Sequence, residues 1–270
     1  MEIMENNPIA NLIYHGGYTA IFRRMGFIGD SLSSGEFESK DENGKIDWYD
    51  MYEYSWGQYI ARRCGLKAFN FSVGGMTAKK FRTENFAFHS GFLDRQKVCP
   101  AYVIALGAND MYQLKDGDEY GFGTIDDVDF NDYKNNKFSF VGDYCRIIQQ
   151  IREMEPKARI FVMTMPREPA SNEEMKRLSE RQDKHAEFLN SLPNYFDFLY
   201  VLDFRKYAPV YDDDFKKKFY LAGHLNPMGY MWTADAVCTY IDYIIRNNMD
   251  DFKQVAFIGK GGVHNVSEKW

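Results

Sequence analysis

The chain has 270 residues, 45% of them hydrophobic, enough to bury a core of ordinary globular size and favouring one large domain over two small ones. Its formal charge of −6 at pH 7 argues against nucleic acid as a partner, because phosphate binding needs a basic face. No apolar run approaches a membrane span, and the acidic, polar start at Met1-Glu2-Ile3-Met4-Glu5-Asn6 is wrong for a secretory leader, so a cytoplasmic protein is expected. Cys64, Cys99, Cys145 and Cys238 lie far apart with no Cys-x-x-Cys pair, and are expected as reduced, buried thiols. The 17% aromatic content is read as a Phe-rich core with Tyr at its margins.

Taken in order, residues 1–22 form an N-terminal extension without a clear period, with packing over the sheet edge or a homo-oligomer contact as its two candidate roles. Short apolar runs bounded by Gly, Pro, Asn or Asp follow at Met25–Gly29, Leu66–Phe71, Ala101–Leu106, Arg159–Met165 and Phe198–Leu202, the pattern of buried parallel strands. Between them, helical spacing is expected over Trp48–Cys64, Phe140–Met154, Glu173–Leu192 and Met228–Ile245. Residues 111–139 are a long acidic insertion, the kind of segment that serves as a lid, a binding loop or a mobile surface segment. The alternation implies one doubly wound α/β/α sandwich over residues 23–250, with residues 251–270 as a C-terminal tail that looks extended or disordered from Phe257 to Trp270.

The chemistry-bearing residues fall at the strand ends. Gly29-Asp30-Ser31-Leu32 places a serine hydroxyl on a tight turn at the sheet's carboxyl edge, where open α/β sheets build their sites. A serine needs a base, and imidazole is the usual one near neutral pH. Of His15, His89, His185, His224 and His264, His224 stands out: Gly223 allows a bend before it, and Asn226-Pro227 starts the last helix as cap and first-turn proline. After the second strand, Ser72-Val73-Gly74-Gly75 lets a backbone N–H approach a ligand closely. After the third, Asn109 of Gly107-Ala108-Asn109-Asp110 carries an amide able to donate to an oxyanion. Asp30 and Asp110 are read as structural hydrogen-bonders of their turns.

Gly-Asp-Ser-Leu at 29–32, the Gly of Ser72-Val73-Gly74-Gly75, Gly107-x-Asn109-Asp110 and a late His224 resemble, in order, the four blocks of the SGNH (GDSL) hydrolase family, over roughly residues 24–245. The resemblance implies a flavodoxin-like three-layer α/β/α sandwich with a five-stranded parallel sheet, and hydrolysis of esters. It makes Ser31 the nucleophile and first oxyanion donor, Gly75 (before Gly74) the second donor, Asn109 the third and His224 the base. One position departs from the pattern: the family usually has an Asp three residues before the histidine, and here Leu221 stands there. The candidate replacements are a Ser–His dyad with the ring held by a backbone carbonyl near Leu221, or, less favoured, Asp203 at the end of the fifth strand. The Asp212-Asp213-Asp214 run is read as a solvated surface turn.

Rival motifs fail. The α/β-hydrolase elbow is broken by Ser33, the P-loop lacks Gly-Lys-Ser/Thr, and the acidic run 127–132 lacks a calcium loop's glycine and closing glutamate. No metal and no cofactor are expected; an FMN site built on Ser31-Leu32-Ser33-Ser34-Gly35 ranks far behind, and a non-catalytic binding protein on the same scaffold is the main alternative. The partner is a small-molecule ester. The acidic 111–139 loop suits a neutral or cationic one, and Tyr112, Tyr120 and Phe122 are candidates for stacking on a sugar. An acetylated carbohydrate is expected, with an acyl thioester or lysophospholipid still open.

Overall fold

The computed structural model describes residues 7–83, 86–115 and 117–259. Its strands are β1 (Arg24–Gly29), β2 (Glu36–Lys40), β3 (Ile46–Asp50), β4 (Lys67–Ser72), β5 (Ala101–Ala105), β6 (Arg159–Met163) and β7 (Leu199–Leu202). Five of them form one parallel sheet in the order β4-β1-β5-β6-β7. Each of the five apolar runs singled out in the sequence supplies one of these strands. The helices are α1 (Ser31–Ser34), α2 (Trp56–Cys64), α3 (Ala78–Thr83), α4 (Phe86–His89), α5 (Ala108–Gln113), α6 (Phe140–Met154), α7 (Glu173–Ser191), α8 (Phe204–Tyr207), α9 (Asp213–Phe219), α10 (Pro227–Asn247) and α11 (Met249–Phe252).

Because strand side chains alternate, neighbouring apolar residues feed opposite faces, and the sheet needs cover on both. Ile28, Tyr102, Ile104 and Val162 join the core beneath α6 and α7. Phe27, Val103 and Phe161 join the core beneath α2 and α10. The result is the three-layer α/β/α sandwich. From β1 the chain moves to β4 on one side and then to β5 on the other. The carboxyl end of β1 is therefore the topological switch point, where such sheets open a crevice.

The long helices start as their caps dictate. Ser139 Oγ accepts the Gly142 N–H at 3.1 Å at the start of α6, and Asn172 accepts the Met175 N–H at 2.9 Å at α7. Asn226 accepts the Gly229 N–H at 2.9 Å, with Pro227 as the first residue of α10. Among the described residues no helix is long and apolar enough to cross a membrane. The four cysteines are free thiols and buried.

Two segments differ from the sequence reading. The expected helix over Trp48–Cys64 begins only at Trp56; Trp48–Asp50 lie in β3, and Tyr52–Tyr54 form a single 3₁₀ turn. Ser55 sets the boundary, its hydroxyl accepting the Gln58 N–H at 3.2 Å. Upstream, β2 and β3 pair as an antiparallel hairpin with Glu36 opposite Asp50, Phe37 opposite Tyr49 and Glu38 opposite Trp48. Its turn is built by Asp41, whose Oδ1 accepts the N–H groups of Asn43 at 2.9 Å and Lys45 at 2.8 Å. The Asp212–Asp214 run, expected as a turn, is instead the cap and first turn of α9, with Lys216-Lys217-Lys218 at its other end. That charge order complements the helix dipole.

The described part of the N-terminal extension runs along α10. The Ile13 N–H donates to Thr239 Oγ1 at 2.9 Å and the Tyr18 N–H to Asp242 Oδ1 at 2.7 Å, while Ile9 and Phe22 enter the core. In the 111–139 insertion, Tyr120 and Phe122 pack against the α6–α7 core, the first on Phe138 and the second on Phe140 and Phe188. Most of the expected C-terminal tail, from residue 260 onward, lies outside the described residues.

His185 of α7 is fully buried against Phe140, with Nε2 at 3.1 Å from the Leu106 carbonyl. Burial pushes its imidazole down to about 4. The unfolded chain, titrating near 6.5, therefore binds the extra proton first as pH falls. The stability from a neutral His185, on the order of 3 kcal/mol, is complete above pH 6.5 and is lost on descent towards pH 4. The difference in urea unfolding free energy between wild type and His185→Phe should accordingly shrink by about that amount between pH 7 and pH 4.5. A pH-independent difference would show that the ring is not held neutral.

Candidate active site

β1 ends at Gly29, and Asp30 turns the chain. Its Oδ1 accepts the Leu32 N–H at 3.1 Å, and its carbonyl takes the N–H groups of Ser33 and Ser34 at 3.0 and 2.9 Å. This cap leaves Ser31 as the first residue of α1, at the switch point between β4 and β5. Asp30 is buried, and that burial pushes its carboxyl up to about 6. Asp110, in the first turn of α5, is likewise raised by burial to about 7 while both its oxygens take the Ala78 N–H, at 3.0 and 3.2 Å. Both aspartates hold turns, as the sequence suggested.

Asn109 lies between them. Its Nδ2 donates to Asp30 Oδ2 at 3.3 Å and to the Met76 carbonyl at 3.2 Å, so it joins the turns that follow β1, β4 and β5. Gly75 sits in the turn closed by the Met76 N–H on the Val73 carbonyl at 3.2 Å, with φ of +68°. Among the described residues, neither the Ser31 nor the Gly75 N–H donates to a protein acceptor.

His224 arrives from the far end of the chain. The Tyr220–Leu225 bridge and the Leu221 N–H on the His224 carbonyl at 2.9 Å form a tight loop ahead of α10. Its Nε2 stands 2.9 Å from Ser31 Oγ. Its Nδ1 stands 3.0 Å from Glu38 Oε2, and a second carboxylate oxygen, Glu36 Oε1, lies 3.4 Å from Nε2. Leu221, at the position of the missing aspartate, points outward, 57% exposed.

Asp203, the candidate acid, is engaged elsewhere. Its Oδ1 accepts Thr164 Oγ1 at 3.0 Å and the Lys206 N–H at 3.2 Å as the cap of α8, and its Oδ2 accepts Asn190 Nδ2 at 3.1 Å. Of the residues singled out in the sequence, Ser31, Asn109 and His224 line one cavity of about 290 Å³; Gly75 and Asp203 do not. Trp56, Met163, Met165, Phe204 and Tyr211 give it apolar walls, and an ion pair between Lys216 and Glu168, 2.6 Å apart, also lines it. Tyr112 is its one contribution from the 111–139 insertion among the described residues.

Sequence reasoning missed Glu36 and Glu38. The local signal for the hairpin that carries them is the turn dipeptide Asn43-Gly44. Period-two alternation then puts both glutamates on one face. Nothing local says that this face turns towards His224.

The model of the GDSL-like lipase/acylhydrolase family matches residues 27–232. No curated protein matches the chain in sequence. Similar solved structures include an active-site mutant of a family two carbohydrate esterase from Clostridium thermocellum, with TM-score 0.57 and 18% identity over 84% of this chain; the chain spans 64% of that protein's length. Est24, a carbohydrate acetylesterase from Sinorhizobium meliloti, gives TM-score 0.54 and 13% identity over 82% of this chain and 99% of its own. A carbohydrate esterase family 2 enzyme from Corynascus thermopiles gives 0.53 and 16% over 83% of this chain and 67% of its own.

Proposed function

Because the chain belongs to the GDSL-like lipase/acylhydrolase family, we propose that it is a carboxylic ester hydrolase with Ser31 as its nucleophile and that it cleaves short acyl esters, acetyl esters of carbohydrates first among them, through an acyl-serine intermediate. The observation that carries this reading is the 2.9 Å contact between Ser31 Oγ and His224 Nε2. In acylation, Nε2 takes the hydroxyl proton as Oγ adds to the acyl carbon. The tetrahedral intermediate then expels the alcohol, which leaves with that proton. In deacylation, water gives a proton to the same nitrogen and attacks the acyl-Ser31 carbon, and Oγ recovers the proton as the acid departs.

The developing oxyanion needs donors aimed at it in advance. The N–H groups of Ser31 and Gly75 are the backbone candidates. Asn109 serves as the third by turning one amide hydrogen from Asp30 or Met76 to the substrate, since catalytic hydrogen bonds often tighten only in the complex. Carboxylates of Asp30, Glu36 and Glu38 around the serine disfavour an anionic substrate. Tyr112, 57% exposed at the cavity, offers a ring face to a sugar. The carbohydrate esterases of like fold make a sugar acetate the first class to try.

The direct test is covalent. A fluorophosphonate probe should add to Ser31, located by peptide mass mapping, and should abolish p-nitrophenyl acetate hydrolysis in proportion to labelling. An unlabelled Ser31 in folded protein would sink the nucleophile assignment.

A further inference from the structure

Position 221, three residues before the base, holds a leucine that points outward, so the imidazole must be oriented by some other group. We propose that Glu38, carried by the β2–β3 hairpin, is the positioning residue for His224 and supplies the negative charge that steadies its imidazolium; this rests on the ester-hydrolase reading of Ser31 and His224. Glu38 Oε2 is 3.0 Å from Nδ1. A carboxylate oxygen only accepts, so Nδ1 carries the hydrogen and Nε2 keeps its lone pair for the Ser31 hydroxyl. That is the tautomer a general base requires.

Three features show a built contact. First, the side chains of His224 and Glu38 are only 17% and 15% exposed, so water screens the pair poorly. Second, the hairpin is anchored from its other face: Phe37, between the two glutamates, is buried against Tyr54 and Tyr230, with ring centroids 6.0 and 5.3 Å away. Alternation then directs Glu36 and Glu38 together to the opposite side. Third, the backbone makes room. A Cβ on Gly223 would lie 2.2 Å from Glu38 Oε2, and one on Gly74 would lie 2.4 Å from Glu36 Oε2.

Glu36 completes the arrangement. Its Oε1 lies 3.4 Å from Nε2, the nitrogen that receives the serine proton. An acceptor there has nothing to bind while Nε2 holds a lone pair, and gains an N–H partner once proton transfer has occurred. The imidazolium formed during acylation thus finds a carboxylate at each nitrogen, both from one strand.

Glu38→Gln keeps the shape but offers an amide that can donate to Nδ1 and favour the wrong tautomer. It should lower kcat for p-nitrophenyl acetate by about 10²–10⁴, with KM changed less than threefold and the melting temperature held. Glu38→Asp should recover part of the loss. In the proton NMR spectrum, wild type should show an Nδ1–H resonance far downfield of the amides that disappears in Glu38→Gln and His224→Ala. A kcat within threefold of wild type in Glu38→Gln, or a downfield proton that survives it, would overturn the assignment. If wild type shows neither hydrolysis nor Ser31 labelling, the ester-hydrolase reading fails by itself, and the NMR experiment still decides whether Glu38 holds the ring. If Glu38→Gln misfolds, the Glu38→Asp kinetics and the wild-type resonance decide.

Discussion

Ser31→Ala should lower kcat on an acetylated glycoside by on the order of 10⁶, leaving a rate set by whatever the remaining donors and substrate binding contribute. The loss is that large because, in the proposed mechanism, the acyl intermediate forms on Ser31 alone. Ser33 and Ser34, the nearest hydroxyls in sequence, are buried in α1. Binding should survive. Ser31 Oγ touches His224 and bears no structural hydrogen bond of the turn, which Asp30 holds through the N–H groups of Leu32, Ser33 and Ser34. KM and melting temperature should therefore move little. Steady-state kinetics on the purified variant check this, and a residual rate above one hundredth of wild type would remove Ser31 from the chemistry.

His224→Ala should cost about as much, and the Ser31→Ala/His224→Ala double variant should be no slower than either alone. The two side chains act on one proton, so removing the second after the first takes away nothing further. Fluorophosphonate labelling of Ser31 should slow in parallel, because phosphonylation asks for the same proton transfer at Nε2. Multiplicative losses in the double variant would mean that the 2.9 Å contact is not used in turnover.

Much of the fold is legible in the sequence itself. The strands follow from five apolar runs that alternate between two buried faces, and the motif residues stand at their ends because turns at strand ends need Gly, Asp and Asn. Asn226-Pro227 announced α10 through cap and φ chemistry alone. What escaped was long-range. Trp48 to Tyr54 carries a helix-like stripe, yet cross-strand pairing with residues 36–40 and the Ser55 cap decide its structure. The partner of His224 Nδ1 sits 186 residues away on that same hairpin, and Leu221 gave only the negative half of the answer. Asp203 looked eligible because it ends a strand near the site. Its oxygens are taken by Thr164, Asn190 and the α8 cap, which no local pattern reveals.

The contacts on His224 join positions 193 and 186 residues apart, with Ser31 and both glutamates all within the first forty residues. Hydrolysis is therefore a reporter of closure between the two ends of the sheet's chain. A polypeptide that stops after β7 holds the proposed nucleophile and carboxylates without the proposed base, whereas the segment beginning at α9 holds that base alone. Joined noncovalently, two such halves would regain turnover only when α10 docks against α2 and the N-terminal segment, so reconstituted activity would count correctly assembled molecules rather than merely compact ones.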